Sequence, residues 1–263
     1  MKEFIAPGWL KIFNEQGLDF DALWTLDLEP LDEPNTGRGQ DGWSSVSSLP
    51  LQLPDGNRKH LILKRQQNHF SRSLLHPFRG VPTFQKEMSS ILRYKKLRIP
   101  ALEPVFFATR HTPEGLQAVL ITEHLEGYTP LDVMVSTWQD QGWPPLGERH
   151  RLIKAIAAVV CRLHEKGQQH NCLYPRHLLI RQTGETIKVR LIDLEKSKSR
   201  PFGNKRRVRD LESLHRRAEG WSATDRLRFL KAYCGTDRLD RNARALFQKI
   251  LKRNRKKRGI RKT

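Results

Sequence analysis

Lys64, Glu87, Asp193 and a histidine-rich stretch from His164 to His177 are the positions where residue type and spacing open a route to chemistry. Lys64 closes the apolar run Leu61-Ile62-Leu63, a place where a lysine is ordinarily solvated but where it can also neutralise a bound anion. Glu87 stands mid-way along a segment with helical spacing. Asp193 follows the buried-strand pattern of residues 189–192, and an acid at the end of such a strand needs a partner, whether a cation or a turn amide. Between them, Leu163-His164-Glu165-Lys166-Gly167-Gln168-Gln169-His170 reads LHxxGxxH, and His177 follows His170 by seven places, with Cys172 and Tyr174 in between. Upstream, Gly37, Gly39 and Gly42 form a glycine cluster that is either a plain linker or a loop whose backbone can approach a ligand closely. Each residue alone has an ordinary structural reading; their order along the chain is the informative property.

The elements that must position these residues can be read from periodicity. Trp9, Ile12 and Phe13, then Phe20, Leu23 and Trp24, predict two short helices separated by a turn at Gly17. Residues 30–42 form a breaker-rich linker. Residues 43–53 and 60–64, joined by the turn Pro54-Asp55-Gly56-Asn57, predict an antiparallel hairpin. Residues 83–97 predict a helix through Phe84, Met88, Ile91 and Leu92, and 105–109 and 118–123 predict two further strands. After Gly127 the pattern turns helical over 131–138 and 148–165, with Leu152, Ile156, Val159, Val160 and Leu163 on one face. Short strands follow at 178–181 and 189–192, then helices over 209–218 and 225–233. A β-rich first half and a helical second half, joined near Glu123–Gly127, predict two lobes with a ligand cleft at the junction.

Charge narrows the partners. The chain has 48 Lys/Arg against 28 Asp/Glu, a net charge of +20, while residues 1–34 alone carry 8 acids and 2 bases. Eleven Lys/Arg and no acid lie between Arg241 and Lys262. This points to a polyanionic partner: a nucleotide, a phosphorylated glycolipid, an anionic membrane or a nucleic acid. The basic end reads as a solvated tail or an electrostatic tether to a membrane. No run approaches the ~20 apolar residues of a membrane span, and residues 1–9 lack the apolar core of a signal peptide. Cys161, Cys172 and Cys234 have neither disulfide nor zinc spacing, which suits a reducing cytoplasm.

The ordered set resembles a kinase. The stretch from His170 to Ile180 is similar to the protein-kinase catalytic loop and the strand after it, with His177 where that signature carries asparagine. The resemblance is closer to the lipopolysaccharide kinases of the Kdo/heptose, InaA/WaaP type, whose loop reads H-x-[DC]-x-Y-x-x-H. Tyr174 and His177 fall on that pattern, as do Ile192-Asp193-Leu194, Leu63-Lys64-Arg65-Gln66, Phe84-Gln85-Lys86-Glu87 and Arg209-Asp210-Leu211 on others of the family. Gly37 to Ser44 resembles the family's glycine-rich run with two extra residues. The match covers roughly residues 35–233.

This resemblance implies an α+β, bilobal, protein-kinase-like fold with a β-rich N-lobe holding one main helix and a small helical C-lobe. It divides the chain into an acidic segment 1–34, an N-lobe 35–126, a C-lobe 127–240 and a basic tail 241–263. It implies an ATP-dependent kinase that phosphorylates a heptose or Kdo hydroxyl of the lipopolysaccharide inner core, in the cytoplasm or at the inner face of the inner membrane. The nucleotide-binding set is then Gly37, Gly39, Gly42, Lys64, Glu87 and Glu123. Asp193 and His177 hold Mg²⁺, although imidazole suits Mg²⁺ less well than an amide oxygen. His170 and Cys172 belong to the catalytic loop. Cys172 takes the place of the catalytic aspartate, and a thiol accepts a hydroxyl proton only as thiolate. The resemblance therefore leaves two alternatives: an active kinase, or a pseudokinase that binds nucleotide without transfer. A third reading, a basic RNA-binding module, lacks an RRM signature or a KH loop, so a nucleic-acid partner is disfavoured. Residues 68–80, with Phe70, Leu74, Leu75 and Phe78 among His69, Arg72, His76 and Arg79, read as a packed connector or as a basic amphipathic segment for a membrane-borne phosphorylated sugar.

Overall fold

The computed structural model describes residues 3–36, 42–73, 76–203 and 205–259. Its contacts divide into two units: Met1–Arg93 with Leu102–Glu126, and Tyr94–Ala101 with Gly127–Thr263.

The first unit begins with β1 (Glu3–Ile5), α1 (Pro7–Glu15) and α2 (Phe20–Thr25). There follow β2 (Asn35–Thr36), β3 (Trp43–Gln52), β4 (Arg58–Gln67), the hairpin β5 (Phe70–Ser73) and β6 (His76–Pro82), α3 (Thr83–Lys96), β7 (Pro104–Thr112) and β8 (Gly115–Glu123). Six strands form one antiparallel sheet in the order β1-β7-β8-β4-β3-β2. Alternation of side chains along a strand sorts β4 into two faces. Leu61 and Leu63 join a core with Trp9, Phe13, Phe20 and Leu23, so α1 and α2 cover that face. Each such apolar side chain contributes about 1.5–3 kcal/mol on burial. The acidic opening is thus a packed layer of this unit, and β1 is a strand of its sheet. The other face of β4 carries Lys64 and Gln66. Gln66 Oε1 accepts from Thr83 Oγ1 (2.7 Å) and from Phe84 N (2.9 Å), which ties the first turn of α3 to the strand.

The second unit contains β9 (Thr129–Pro130), α4 (Leu131–Gln141), α5 (Leu146–Glu165), β10 (Gln168–Gln169), a 3₁₀ turn (Pro175–His177), β11 (Leu178–Thr183), β12 (Thr186–Leu191), β13 (Lys198–Ser199), α6 (Lys205–Arg217), α7 (Ala223–Cys234) and α8 (Arg241–Gly259). The buried stripe Leu152, Ile156, Val160 and Leu163 makes α5 the central helix, packed on α7 and β12. The strands β12-β11-β9 form a small sheet, and β10 pairs with β13.

One sequence expectation changes here. The basic end is not a solvated tail: residues 241–259 form α8, which packs on α6 and α7 and buries Ala243, Ile250 and Asn254. Its cations line the outer face because an apolar stripe occupies the inner one. Residues 68–80 contribute an antiparallel hairpin, β5–β6. The side chains of 71–79, including Arg72, Leu74, Leu75, His76, Phe78 and Arg79, lie outside those described. Among the described residues no helix is long and apolar enough to cross a membrane.

Candidate active site

In the first unit, Lys64 Nζ donates to Glu87 Oε1 at 2.8 Å and to Oε2 at 3.0 Å. Strand β4 aims Lys64 at α3, and the Gln66 clamp sets the rotation of α3 that brings Glu87 into line. The Glu87 side chain is 4% exposed and that of Lys64 16%, so each is the other's neutralising partner in a largely dry setting. Gly37 and Gly39 lie outside the described residues. Gly42 is described, and its need for glycine has a local cause: a Cβ there would sit 2.7 Å from the backbone oxygen of Asn68. Glu123 pairs with Leu61 across the sheet, so its side chain shares the Leu61 face and not the Lys64 face. There it meets Lys59 at 3.1 Å. The expected nucleotide-binding role of Glu123 is thereby corrected for its side chain: alternation along the strand points it away from Lys64.

In the second unit, the loop between β10 and the 3₁₀ turn is suspended from a buried carboxylate. Asp210, on α6, accepts from His170 N (2.7 Å), Asn171 N (2.9 Å) and His164 Nε2 (3.2 Å). His164 Nδ1 in turn meets the Tyr233 hydroxyl at 2.9 Å. These bonds hold Asn171 in the left-handed region, φ 67°, a conformation that costs about 1 kcal/mol or more outside glycine. His170 has no exposed surface, its Nε2 donates to Ile192 O (3.0 Å), and burial lowers its pKa. It cannot touch a substrate, which corrects its expected catalytic role: it is a positioning residue that joins the loop to the strand before Asp193. Cys172 is 7% exposed. Burial, and then the adjacent Cys172 thiol, raise the pKa of Tyr174, whose ring lies 3.6 Å beneath the Arg217 guanidinium.

His177 and Asp193 converge. His177 Nδ1 donates to Cys172 O (2.8 Å), so Nδ1 carries the proton. Its Nε2 accepts from Arg176 Nε at 3.1 Å and lies 3.4 Å from Asp193 Oδ2. Burial lowers the pKa of His177 by more than Asp193 raises it, so the ring is neutral near pH 7. With Arg176 Nε drawn off, the neutral Nε2 lone pair and the Asp193 carboxylate oxygen would form the kind of donor pair that a divalent cation accepts. Asp193 is itself at φ 58°, a strained position shared by Asn171 in the same unit. Among the described residues no group of three or more His, Cys, Asp or Glu is placed to hold a metal ion. A cation at this pair would need its other ligands from water or phosphate, which is how Mg²⁺ is usually held.

The fold matches that of a solved structure, WaaP in complex with acyl carrier protein, with a TM-score of 0.69, 22% identity, and coverage of 97% of this chain and 99% of that one. That likeness defines an α+β kinase-like fold. The model of the lipopolysaccharide kinase (Kdo/WaaP) family matches residues 21–233, and the chain belongs to this family. Among characterised relatives, Protein InaA of Escherichia coli is 28% identical over 204 residues, covering 76% of this chain and 88% of that protein. The lipopolysaccharide core heptose(I) kinase WaaP of Pseudomonas aeruginosa is 27% identical over 157 residues, covering 57% of this chain and 58% of that protein.

Of the expected residues, Lys64 joins Glu87 in one unit, and His170, Cys172, His177 and Asp193 cluster in the other. Sequence reasoning placed Gln66 only in the lysine-strand pattern and missed that it orients α3, and it missed Tyr233, which extends the Asp210 network. Gln66 is next but one after Lys64, on the same strand face, and that alternation was its available signal. Tyr233 lies 69 residues from His164 and left no local signal.

Proposed function

We propose that this chain is an ATP-dependent kinase that transfers the γ-phosphoryl group to a heptose or Kdo hydroxyl of the lipopolysaccharide inner core, at the cytoplasmic face of the membrane that carries that glycolipid. The observation that carries the reading is the buried Lys64–Glu87 pair, 2.8 Å apart, in a member of a lipopolysaccharide kinase family. In phosphoryl transfer the transition state is loose, and the protein's task is positioning and charge neutralisation. Lys64, held by Glu87, would bind the α/β-phosphates. The Asp193 carboxylate and His177 Nε2 would hold Mg²⁺, which when bound supplies neutralising charge at the phosphates. Gly37, Gly39 and Gly42 would bring backbone amides to the same anion.

Cys172 favours a second reading. A thiol accepts a hydroxyl proton only as thiolate, and a nucleotide-binding pseudokinase would retain every other residue named here. The test is melting temperature with ATP, with and without Mg²⁺, alongside transfer of labelled γ-phosphate to deacylated inner-core oligosaccharide. The kinase reading expects Mg-dependent stabilisation and a labelled product, both lost in Asp193→Ala. Stabilisation without product, with label appearing in Cys172→Asp, would establish the pseudokinase. No ATP-dependent stabilisation at all would sink both.

A further inference from the structure

Phe202 is 91% exposed, the most exposed large apolar side chain among the described residues. It does not sit on a slack loop. Arg206, itself only 9% exposed, spends its guanidinium on that loop: Nη1 donates to Arg200 O (2.9 Å), Pro201 O (3.2 Å) and Gly203 O (2.8 Å), and Nε donates to His164 O (3.1 Å). Arg200 N donates to Gly167 O at 2.7 Å, and a Cβ on Gly167 would lie 3.1 Å from the Pro201 backbone. The loop is therefore built and held in a form that leaves its one large apolar side chain in water. Keeping a phenyl ring there forgoes burial, and among the described residues none covers it, which leaves the ring available to a partner.

The surroundings state the chemistry of that partner. Beside the loop is a hollow of about 530 Å³ walled by Arg200, Lys205, Arg209, Lys249 and Arg253, with no acidic residue in its lining. Arg253 is partly engaged by Glu212 at 3.5 Å, while the first four are exposed. A protruding aromatic ring flanked by long cationic side chains is the arrangement that seats in a lipid interface: the ring enters the headgroup–acyl boundary and the cations meet phosphates. A single-stranded nucleic acid would need successive aromatic platforms, and Phe202 is the lone exposed aromatic of its loop.

We propose that the Phe202 loop and the basic hollow between α6 and α8 form a docking surface for an anionic, phosphate-bearing lipid bilayer. The position explains its use. Two residues before the loop, Lys198 pairs with Gln169, and Gln169 directly precedes His170 in the suspended loop. A surface held against lipid here keeps the Cys172–His177 segment beside the headgroups where a glycolipid acceptor resides; only this last consequence rests on the kinase reading.

The test is co-sedimentation of the full chain with vesicles of phosphatidylcholine alone and of phosphatidylcholine with phosphatidylglycerol at 7:3. The wild type partitions onto the anionic vesicles and not onto the neutral ones. Phe202→Ser weakens that partition about tenfold, as loss of a buried ring requires. Arg200→Gln/Lys205→Gln/Arg209→Gln weakens it about fivefold per charge. The charge-matched control Arg151→Gln/Lys154→Gln/Lys188→Gln changes it less than about threefold, since none of the three lines the basic hollow. Equal losses in the control and the loop triple would overturn the assignment, as would Phe202→Ser binding like wild type. Retention of a single-stranded oligonucleotide in place of vesicles, with the same residue dependence, would also overturn it. The ATP-induced melting shift, read on the same variants, is unchanged in Phe202→Ser. Its absence in the wild type would fail the kinase reading while leaving the vesicle result to decide the surface.

Discussion

Replacing Asp210 by asparagine tests the claim that one buried carboxylate sets the shape of the loop carrying Cys172 and His177. Oδ2 accepts from His170 N and His164 Nε2, and Oδ1 from Asn171 N, all at a side chain with no exposed surface. Asparagine offers one oxygen. With that oxygen in the Oδ2 position, its amide nitrogen faces Asn171 N–H, donor against donor. The alternative flip leaves both His170 N and His164 Nε2 opposed. At least one buried donor is orphaned, a cost of about 1–3 kcal/mol, and the surviving bonds lose charge assistance of similar size. The expected destabilisation is therefore about 2–4 kcal/mol by urea unfolding, with faster amide exchange at Asn171, whose φ of 67° has lost its restraint. Tyr233→Phe removes only the hydroxyl on His164 Nδ1 and should cost about 1 kcal/mol, with exchange at Asn171 nearly unchanged. A loss below about 0.5 kcal/mol in Asp210→Asn, or an Asn171 amide as protected as in the wild type, would refute the account of a suspended loop.

Gly42→Ala forces a Cβ to 2.7 Å from the Asn68 backbone oxygen, so it should lower stability by about 1–3 kcal/mol without nucleotide; an unchanged melting temperature would show that this glycine serves a ligand alone. Glu123→Gln should change stability by less than about 1 kcal/mol and leave ATP-induced stabilisation intact, because its partner is a part-exposed Lys59 on the opposite sheet face from Lys64. Burial depresses the pKa of His170 and of His177 below the ordinary 6.5. The unfolded chain then takes up protons at these sites before the folded one does, so stability is full above about pH 6.5 and falls as pH drops below it. Unfolding free energies at pH 7.5 and 5.5 check the sign, and His177→Gln should shrink the difference.

Much of the fold was legible because its signals are local. Alternation in residues 43–53 and 60–64 marked β3 and β4, and the apolar stripe from Leu152 to Leu163 marked α5. The β5–β6 hairpin left no clear period, since its strands are short and their side-chain types mixed. The tail was misread because eleven cations dominate its composition, while Ala243 and Ile250, two turns apart, are enough to seat a helix on a neighbour.

By itself the sequence determined which chemistry is available: an ordered lysine, glutamate, cysteine, histidine and aspartate, in a spacing that identifies a family. It also determined the charge that selects anionic partners. Only the tertiary structure decided which of these groups can act. Burial takes His170 out of reach of any substrate and leaves His177 neutral, its Nε2 held by Arg176 and 3.4 Å from Asp193. Strand alternation joins Lys64 to Glu87 and turns Glu123 away. The reason is physical: residue type sets what a group can donate or accept, but solvation and direction set whether it does so, and both arise from contacts between residues far apart in the chain.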